Sequence, residues 1–272
     1  MAGLNVFIIG GSRNIGYHSS ILLLDAGATV TYLLRNTSVF DTDDKVQKYI
    51  KEGKARLVKG DALVQSDVQG AWDEASKESK VDVVIFTVGG TPKFSLTKGF
   101  VIEPANLVTQ SLFNVLCVIF KHNPSAEDQP RIIAISSTGV TKASHDALPF
   151  ALKPMYSYLL KVPHQDKIGA ERLVAHCAGW EWTSGEPAVE IMGGSDWKNR
   201  EGLPKPGELK KILVIRPALL TDGECKCVYR VSTGEVGGWT VSRKDVAHFL
   251  VDAVLKEERW KEFENKIASI AY

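Results

Sequence analysis

Leu4-Asn5-Val6-Phe7-Ile8-Ile9-Gly10-Gly11-Ser12-Arg13-Asn14-Ile15-Gly16 decides the fold. The first six residues are a short, largely apolar run, as expected of a strand buried on both faces. They pass directly into a glycine-bearing turn, and a helical stretch then runs to Asp25-Ala26-Gly27. Thr29-Val30-Thr31-Tyr32-Leu33-Leu34-Arg35 reads as the next strand. A glycine motif gains meaning from this strand–turn–helix–strand context. Gly10 permits the tight turn, and Gly16 lets the helix approach the strand. The helix start offers free N–H groups and a positive dipole end to a pyrophosphate. The spacing is Gly-x-x-x-Gly-x-Gly with Asn14 in the middle slot, a residue that tolerates left-handed backbone. A merely tight turn is the competing reading, and the position between strand and helix argues against it. Gly10, Ser12, Arg13, Asn14 and Ile15 are therefore candidates for holding a dinucleotide.

The end of the second strand distinguishes the two nicotinamide cofactors. An NAD site usually places Asp or Glu there for the ribose 2′-hydroxyl. Here the chain reads Arg35-Asn36-Thr37-Ser38. A guanidinium binds a 2′-phosphate well, whereas a carboxylate would repel it. Arg35 and Asn36, with Arg13 as a second cation, point to NADP(H); a solvated strand-end charge is the plainer alternative. Arg56 to Ala62 reads as a third strand, and Asp61 and Ala62 at its end are candidates for the adenine side. Val81 to Gly90 reads as a fourth, and its Gly89-Gly90 pair lets the loop pass close to the cofactor. A helix is expected over about 103–120, a fifth strand over Arg131 to Ser137 and a sixth over Lys211 to Pro217. An amphipathic helix from Ser242 to Lys256 and a last strand at Ile267 to Ile270 complete the pattern. The fold class expected is α/β, a doubly wound parallel sheet of Rossmann type.

Composition fits one such domain over residues 1–272, with 44% hydrophobic residues and a net charge of +1. Balanced charge gives no argument for nucleic acid or a membrane surface as partner. Ile21-Leu22-Leu23-Leu24 stops at Asp25, so no run reaches spanning length, and the first strand begins too early to leave room for a secretory signal. Reduced cysteines and a cytoplasmic location are the expectation. Cys225-Lys226-Cys227 lacks a second ligand pair at suitable spacing, so no metal site is expected. His164 reads as a solvated first-turn residue. One segment breaks the rhythm: Trp180 to Leu209 intervenes before the sixth strand and carries Trp180, Trp182 and Trp197. A long loop rich in tryptophan is either a lid or wall for an aromatic small-molecule substrate, or a surface elaboration or subunit contact in a homo-oligomer. Segments 180–210 and 217–242 are thus expected to supply the substrate pocket.

The Ser136-Ser137 pair, Lys167, Glu171 and Arg216-Pro217-Ala218-Leu219 fall in the order of the short-chain dehydrogenase/reductase motifs. The sequence resembles that superfamily in its extended or atypical branches, over essentially the whole chain. The resemblance implies that Lys167 binds the nicotinamide ribose, that Thr87, Val88 and Gly89 flank it, and that Ser137 belongs to the catalytic group. It also exposes a departure. The family carries Tyr-x-x-x-Lys, whose Tyr gives a proton to the carbonyl oxygen. Here Pro163 fills the Tyr slot of Pro163-His164-Gln165-Asp166-Lys167. Tyr156 and Tyr158 lie nearby, and Tyr158-x-x-Lys161 is one residue short of the dyad.

Ketone reduction makes an alkoxide that needs a proton. Reduction of an iminium makes a neutral amine and needs none at oxygen. A carboxylate that attracts the cation would help instead, and Asp166, beside Lys167, is the candidate catalytic residue. The competing reading is that Asp166 faces away from the crevice, since helix neighbours point in different directions. Pro in the Tyr slot, Asp before Lys and the tryptophan-bearing insertion resemble the fungal bifunctional reductase/Diels–Alderases of prenylated indole alkaloid pathways of the paraherquamide and malbrancheamide type. That resemblance implies reduction of a charged dipeptide-derived intermediate followed by an intramolecular [4+2] closure. An atypical reductase of flavin, quinone or enone, and a non-enzymatic NADP-binding sensor, remain as alternatives.

Overall fold

The computed structural model describes residues 3–91, 93–97, 99–153 and 158–272, with Lys161 described by its backbone. The chain opens with β1 (Asn5–Ile9), α1 (Asn14–Asp25), β2 (Thr29–Leu34), α2 (Asp44–Lys51), β3 (Ala55–Lys59), α3 (Gln65–Ser76) and β4 (Val83–Phe86). A hairpin of β5 (Lys93–Ser95) and β6 (Gly99–Val101) leads into α4 (Leu107–His122), β7 (Arg131–Ile135) and the short α5 (Lys142–Asp146). The long α6 (Lys161–Ala178) and the one-turn α7 (Val189–Met192) precede β8 (Ile212–Pro217), β9 (Leu219–Thr221), β10 (Arg230–Ser232) and β11 (Thr240–Ser242). The chain ends with α8 (Arg243–Leu255), α9 (Glu257–Phe263) and β12 (Lys266–Ala271).

Eight strands form one sheet in the order β10-β12-β8-β7-β4-β1-β2-β3. Every pairing from β12 to β3 is parallel, and only β10 joins antiparallel, at the edge. The doubly wound parallel sheet is thus as expected, with one antiparallel edge strand that the sequence reading did not foresee. Strand order reverses between β1 and β4, which opens a crevice at their carboxyl ends.

Alternation along β1 divides the core. Val6 and Ile8 join one buried cluster with residues of α1 and α8, while Phe7 and Ile9 join the other with residues of α3, α4 and α6. All five residues of β1 are buried, which is why the strand reads as an unbroken apolar run. Among the described residues, no helix is long and apolar enough to cross a membrane.

The Trp180–Leu209 insertion packs on the outside of α4 and α6. The Trp197 ring meets Phe113 edge-on at 5.8 Å and His176 at 5.1 Å. Arg172 of α6 lies over Trp197 at 5.3 Å and pairs bidentately with Glu186. Trp180 Nε1 donates to Asn265 at 3.0 Å. The tryptophans therefore order the segment as a strap over the helix layer.

Candidate active site

The crevice at the switch point is a cleft of about 490 Å³. Its floor is the turn after β1. Gly10 has φ +88°, and a Cβ there would stand 2.6 Å from the Thr87 carbonyl carbon, so only glycine fits. Thr87 Oγ1 donates to the Gly10 carbonyl at 3.1 Å and ties the ends of β1 and β4 together. Asn14 adopts φ +56°, the left-handed conformation that its glycine slot requires. Arg13 is the N-cap of α1 and makes no side-chain cap bond, which leaves the first N–H groups of the helix to a ligand.

Gly10, Ser12, Arg13, Asn14, Ile15, Arg35, Asn36, Asp61, Ala62, Thr87, Val88, Gly89 and Lys167 all line this one cleft. Arg13 Nη2 donates to Thr91 Oγ1 at 2.8 Å and bridges the glycine turn to the loop after β4. Asn36 Oδ1 accepts from Ser38 N and Oγ, which fixes the turn beyond Arg35. Asp61 Oδ1 accepts from Leu63 N at 2.9 Å. The cleft also contains residues that sequence reasoning missed, including Ser111 and Arg243. The Ser111 hydroxyl is buried and has no partner among the described residues, as expected of a group left for a ligand. Arg243 follows the Ser242 cap of α8 and pairs with Asp222 at 2.7 Å. Its place in the cleft comes from tertiary packing, and no local pattern announces it. A glycine cradle, an uncapped helix start, an orphan hydroxyl and three arginines together fit a phosphate-rich dinucleotide.

At the far end of the cleft Lys167 Nζ donates to the Ser136 carbonyl at 2.8 Å. Desolvation pushes the Lys167 ammonium down to about 8, with Glu171 and Asp166 opposing the shift. Behind it lies a buried network. Ser136 Oγ donates to Glu171 at 2.5 Å, and Glu171 takes two bonds from Arg216, at 2.9 and 2.6 Å. Arg216 also meets Glu235, which accepts from Ser144, and Ser144 Oγ accepts from Gly139 N. The serine, glutamate and arginine motifs of the sequence are thus one wired support for the Lys167 end. Ser137, the neighbouring candidate, is half-buried and does not line the cleft.

Asp166 requires a correction. It is 1% exposed and turned away from the cleft. Its carboxylate accepts from Val108 N at 2.7 Å and Thr109 N at 2.8 Å. Those are early amides of α4, whose own N-cap, Asn106, makes no side-chain cap bond. Asp166 therefore caps α4 from a neighbouring helix. Burial raises its carboxyl above the usual range, against the bonds from Thr109 and Val108. Asp166→Asn should leave turnover nearly intact, without the roughly hundredfold loss expected of a missing acid–base group. Asp166→Ala should cost about 2–4 kcal/mol of stability, because two buried N–H groups lose their acceptor. Steady-state rates and denaturant melts of the two variants check this.

The other proton candidates also fall away from the cleft. Tyr158 is exposed, and its hydroxyl donates to the Leu96 carbonyl of the hairpin loop. Tyr156 lies outside the described residues. Pro163 sits in the first turn of α6, where a missing N–H costs no helix bond. Burial drives His164 down to about 3, so it stays neutral. Segment 180–210 contributes nothing to the lining; of the expected pocket elements, 217–242 supplies Leu220.

The profile of the NAD(P)H-binding family matches residues 10–189. The chain belongs to the NAD(P)H-binding family. It is similar to Reductase pytE of Aspergillus terreus, 28% identical over 199 residues that make up 70% of this chain and 67% of that protein. Its fold is that of a short-chain dehydrogenase from Burkholderia cenocepacia solved in complex with NADP, with TM-score 0.62 and 15% identity over 99% of this chain and 97% of the other. ChuY, an anaerobillin reductase from Escherichia coli, superposes with TM-score 0.60 and 17% identity over 98% of this chain and 96% of its own. The family makes this chain an NAD(P)H-binding protein, and the structural likeness extends over its whole Rossmann-type fold.

Proposed function

We propose that the protein is an NADPH-dependent reductase of a cationic, iminium-bearing substrate. In the finer form of the proposal, the substrate is a cyclised dipeptide-derived indole alkaloid intermediate in fungal secondary metabolism, and an intramolecular [4+2] closure follows in the same pocket. The observation that carries the reading is Pro163. Where the superfamily presents a phenolic proton, this helix presents a ring without one, while Lys167 keeps its place in the cleft. NADPH, when bound, supplies the hydride. An iminium accepts it to give a neutral amine, so no proton is needed at oxygen. Lys167 orients the ribose end, and its Ser136 anchor fixes where the ammonium points. Asp166 is not available as the counter-charge.

An apolar substrate has a wall to meet. The loop from Thr91 enters the β5–β6 hairpin, which carries Phe94 at 58% and Leu96 at 83% exposure. The hairpin packs on α6 and on the residues just before it, where Gly99 lies against the backbone of Tyr158 and Leu159. Aromatic side chains held there would hold diene and dienophile together, and proximity of that kind accelerates an intramolecular closure. The resemblance to a fungal reductase supports the pathway setting.

The test follows NADPH consumption with a cyclic iminium, with a flavin and an enone in parallel. Consumption with the iminium alone, and a cycloadduct of higher enantiomeric excess than in the uncatalysed control, supports the proposal. Turnover of flavin or enone alone gives the site to another reduction, and NADPH binding without turnover of any gives a sensor. For cofactor choice, Arg35→Ala should weaken NADPH binding roughly ten- to a hundredfold, the scale of a lost charge-assisted phosphate contact. NADH binding should change little; equal losses in titrations of both cofactors would remove Arg35 from the 2′-phosphate.

A further inference from the structure

The loop after β9 carries Cys225 and Cys227, both exposed, with their Sγ atoms 3.3 Å apart. On an extended strand, positions two apart share a face but stand about 6.5 Å from one another. A turn has folded them together. Cys227 makes that turn with φ +53°, a left-handed conformation that is uncommon for a residue with a Cβ. Asp245 holds it there. Its carboxylate Oδ1 accepts from Cys227 N at 2.8 Å, Lys226 N at 3.0 Å and Cys225 Sγ at 3.3 Å. Its Oδ2 accepts from Ser242 Oγ at 2.8 Å and the Tyr272 hydroxyl at 2.5 Å, and Asp245 itself is fully buried. A buried carboxylate with many donors therefore maintains a strained turn whose side chains add nothing to the core. Strain kept in this way points to a use.

We propose that Cys225 and Cys227 form a reversible dithiol–disulfide site, oxidised by a low-molecular-weight disulfide such as oxidised glutathione. The Cys227 thiolate attacks one glutathione sulfur, the glutathione S–S bond breaks, and one glutathione leaves as thiolate and takes up a proton. Cys225 then loses its proton to solvent and attacks the Cys227 sulfur of the mixed disulfide, and the second glutathione leaves. Two protein thiols are oxidised and one small disulfide is reduced to two thiols. The order follows from the surroundings. Desolvation, the Cys227 contact and Asp245 push the Cys225 thiol up to about 12, which makes it the slower first nucleophile. A metal ion is the rival occupant, since the two sulfurs and a carboxylate oxygen lie within 4.8 Å of one another. Both Asp245 oxygens already accept bonds from the protein, however, which leaves the carboxylate a poor ligand.

The experiment equilibrates the reduced protein in glutathione buffers of graded ratio and maps the products by peptide mass spectrometry. Wild type should lose two hydrogens on the peptide containing 225–227 and retain no glutathione. Cys225→Ser should keep one glutathione on Cys227, because the resolving thiol is gone. Cys117 and Cys177 are buried and should stay reduced, an internal control in the same digest. Two outcomes would overturn the proposal: wild type accumulating stable glutathione adducts, or both thiols surviving the most oxidising buffer. A third would as well, namely one zinc ion held per reduced chain and released in Cys225→Ser, which assigns the pair to a cation.

Discussion

Glu171→Ala should lower stability by about 3–5 kcal/mol, the scale of a buried ion pair broken on one side. The Glu171 side chain is 2% exposed and that of Arg216 is 9% exposed. Removing the carboxylate leaves a guanidinium in the interior with only the more distant Glu235 contact at 3.4 Å. Ser136 loses its acceptor in the same change. For a chain of this length the melting temperature should fall by about 10 °C. The pair is a positioning device, and exchanging both members for apolar residues separates its two roles. Glu171→Leu with Arg216→Met should recover most of the stability, because no uncompensated charge remains. It should not recover activity, because the Ser136 carbonyl that holds Lys167 has lost its brace. Full recovery of turnover in the double variant would show that the network only stabilises. Thermal melts and steady-state rates on the single and double variants decide the matter.

What the sequence disclosed and what it hid follow the range of the interactions involved. The turn after β1 was legible because its requirements are local: Gly10 and Asn14 adopt positive φ within a few residues of the strand they follow. The residues expected near the cofactor share one cleft because a parallel sheet places its strand ends together, a rule that needs no knowledge of side-chain packing. Asp166 was misread because its direction depends on α4, more than fifty residues earlier in the chain. Helix geometry held part of the answer, since adjacent positions are about 100° apart and Lys167 occupies the cleft side. The tryptophans of the insertion carried no information about where it packs. That was set by Arg172 of α6, which stacks on Trp197 and pairs with Glu186. Strands of three residues, such as β9, β10 and β11, are too short for alternation to register.

Lys167→Met should reduce turnover by roughly a hundredfold or more and weaken NADPH binding about ten- to a hundredfold, the scale of a lost charged hydrogen bond. Lys167 is the one ionisable side chain at the Ser136 end of the cleft whose protonation changes near neutral pH, among the described residues. Its ammonium is held by a carbonyl rather than by a carboxylate, so the charge remains available to a ligand. The pH dependence follows from the sign of its shift. Desolvation lowers the lysine to about 8, so the free enzyme carries the charge below that pH and loses it above. NADPH binding that uses the ammonium is strongest on the acid side and weakens as pH rises through about 8. In Lys167→Met no such group titrates, and the NADPH dissociation constant should stay level from pH 7 to 9 while remaining weaker than wild type throughout. Lys167→Arg keeps a charge across the whole range but replaces a compact ammonium with a planar fork. It should bind NADPH without the slope and still turn over poorly, because the fork cannot reproduce the Nζ position that Ser136 fixes. A wild-type dissociation constant that is flat across pH 8, or a Lys167→Met variant that shows the same slope, would take the charge of Lys167 out of cofactor binding.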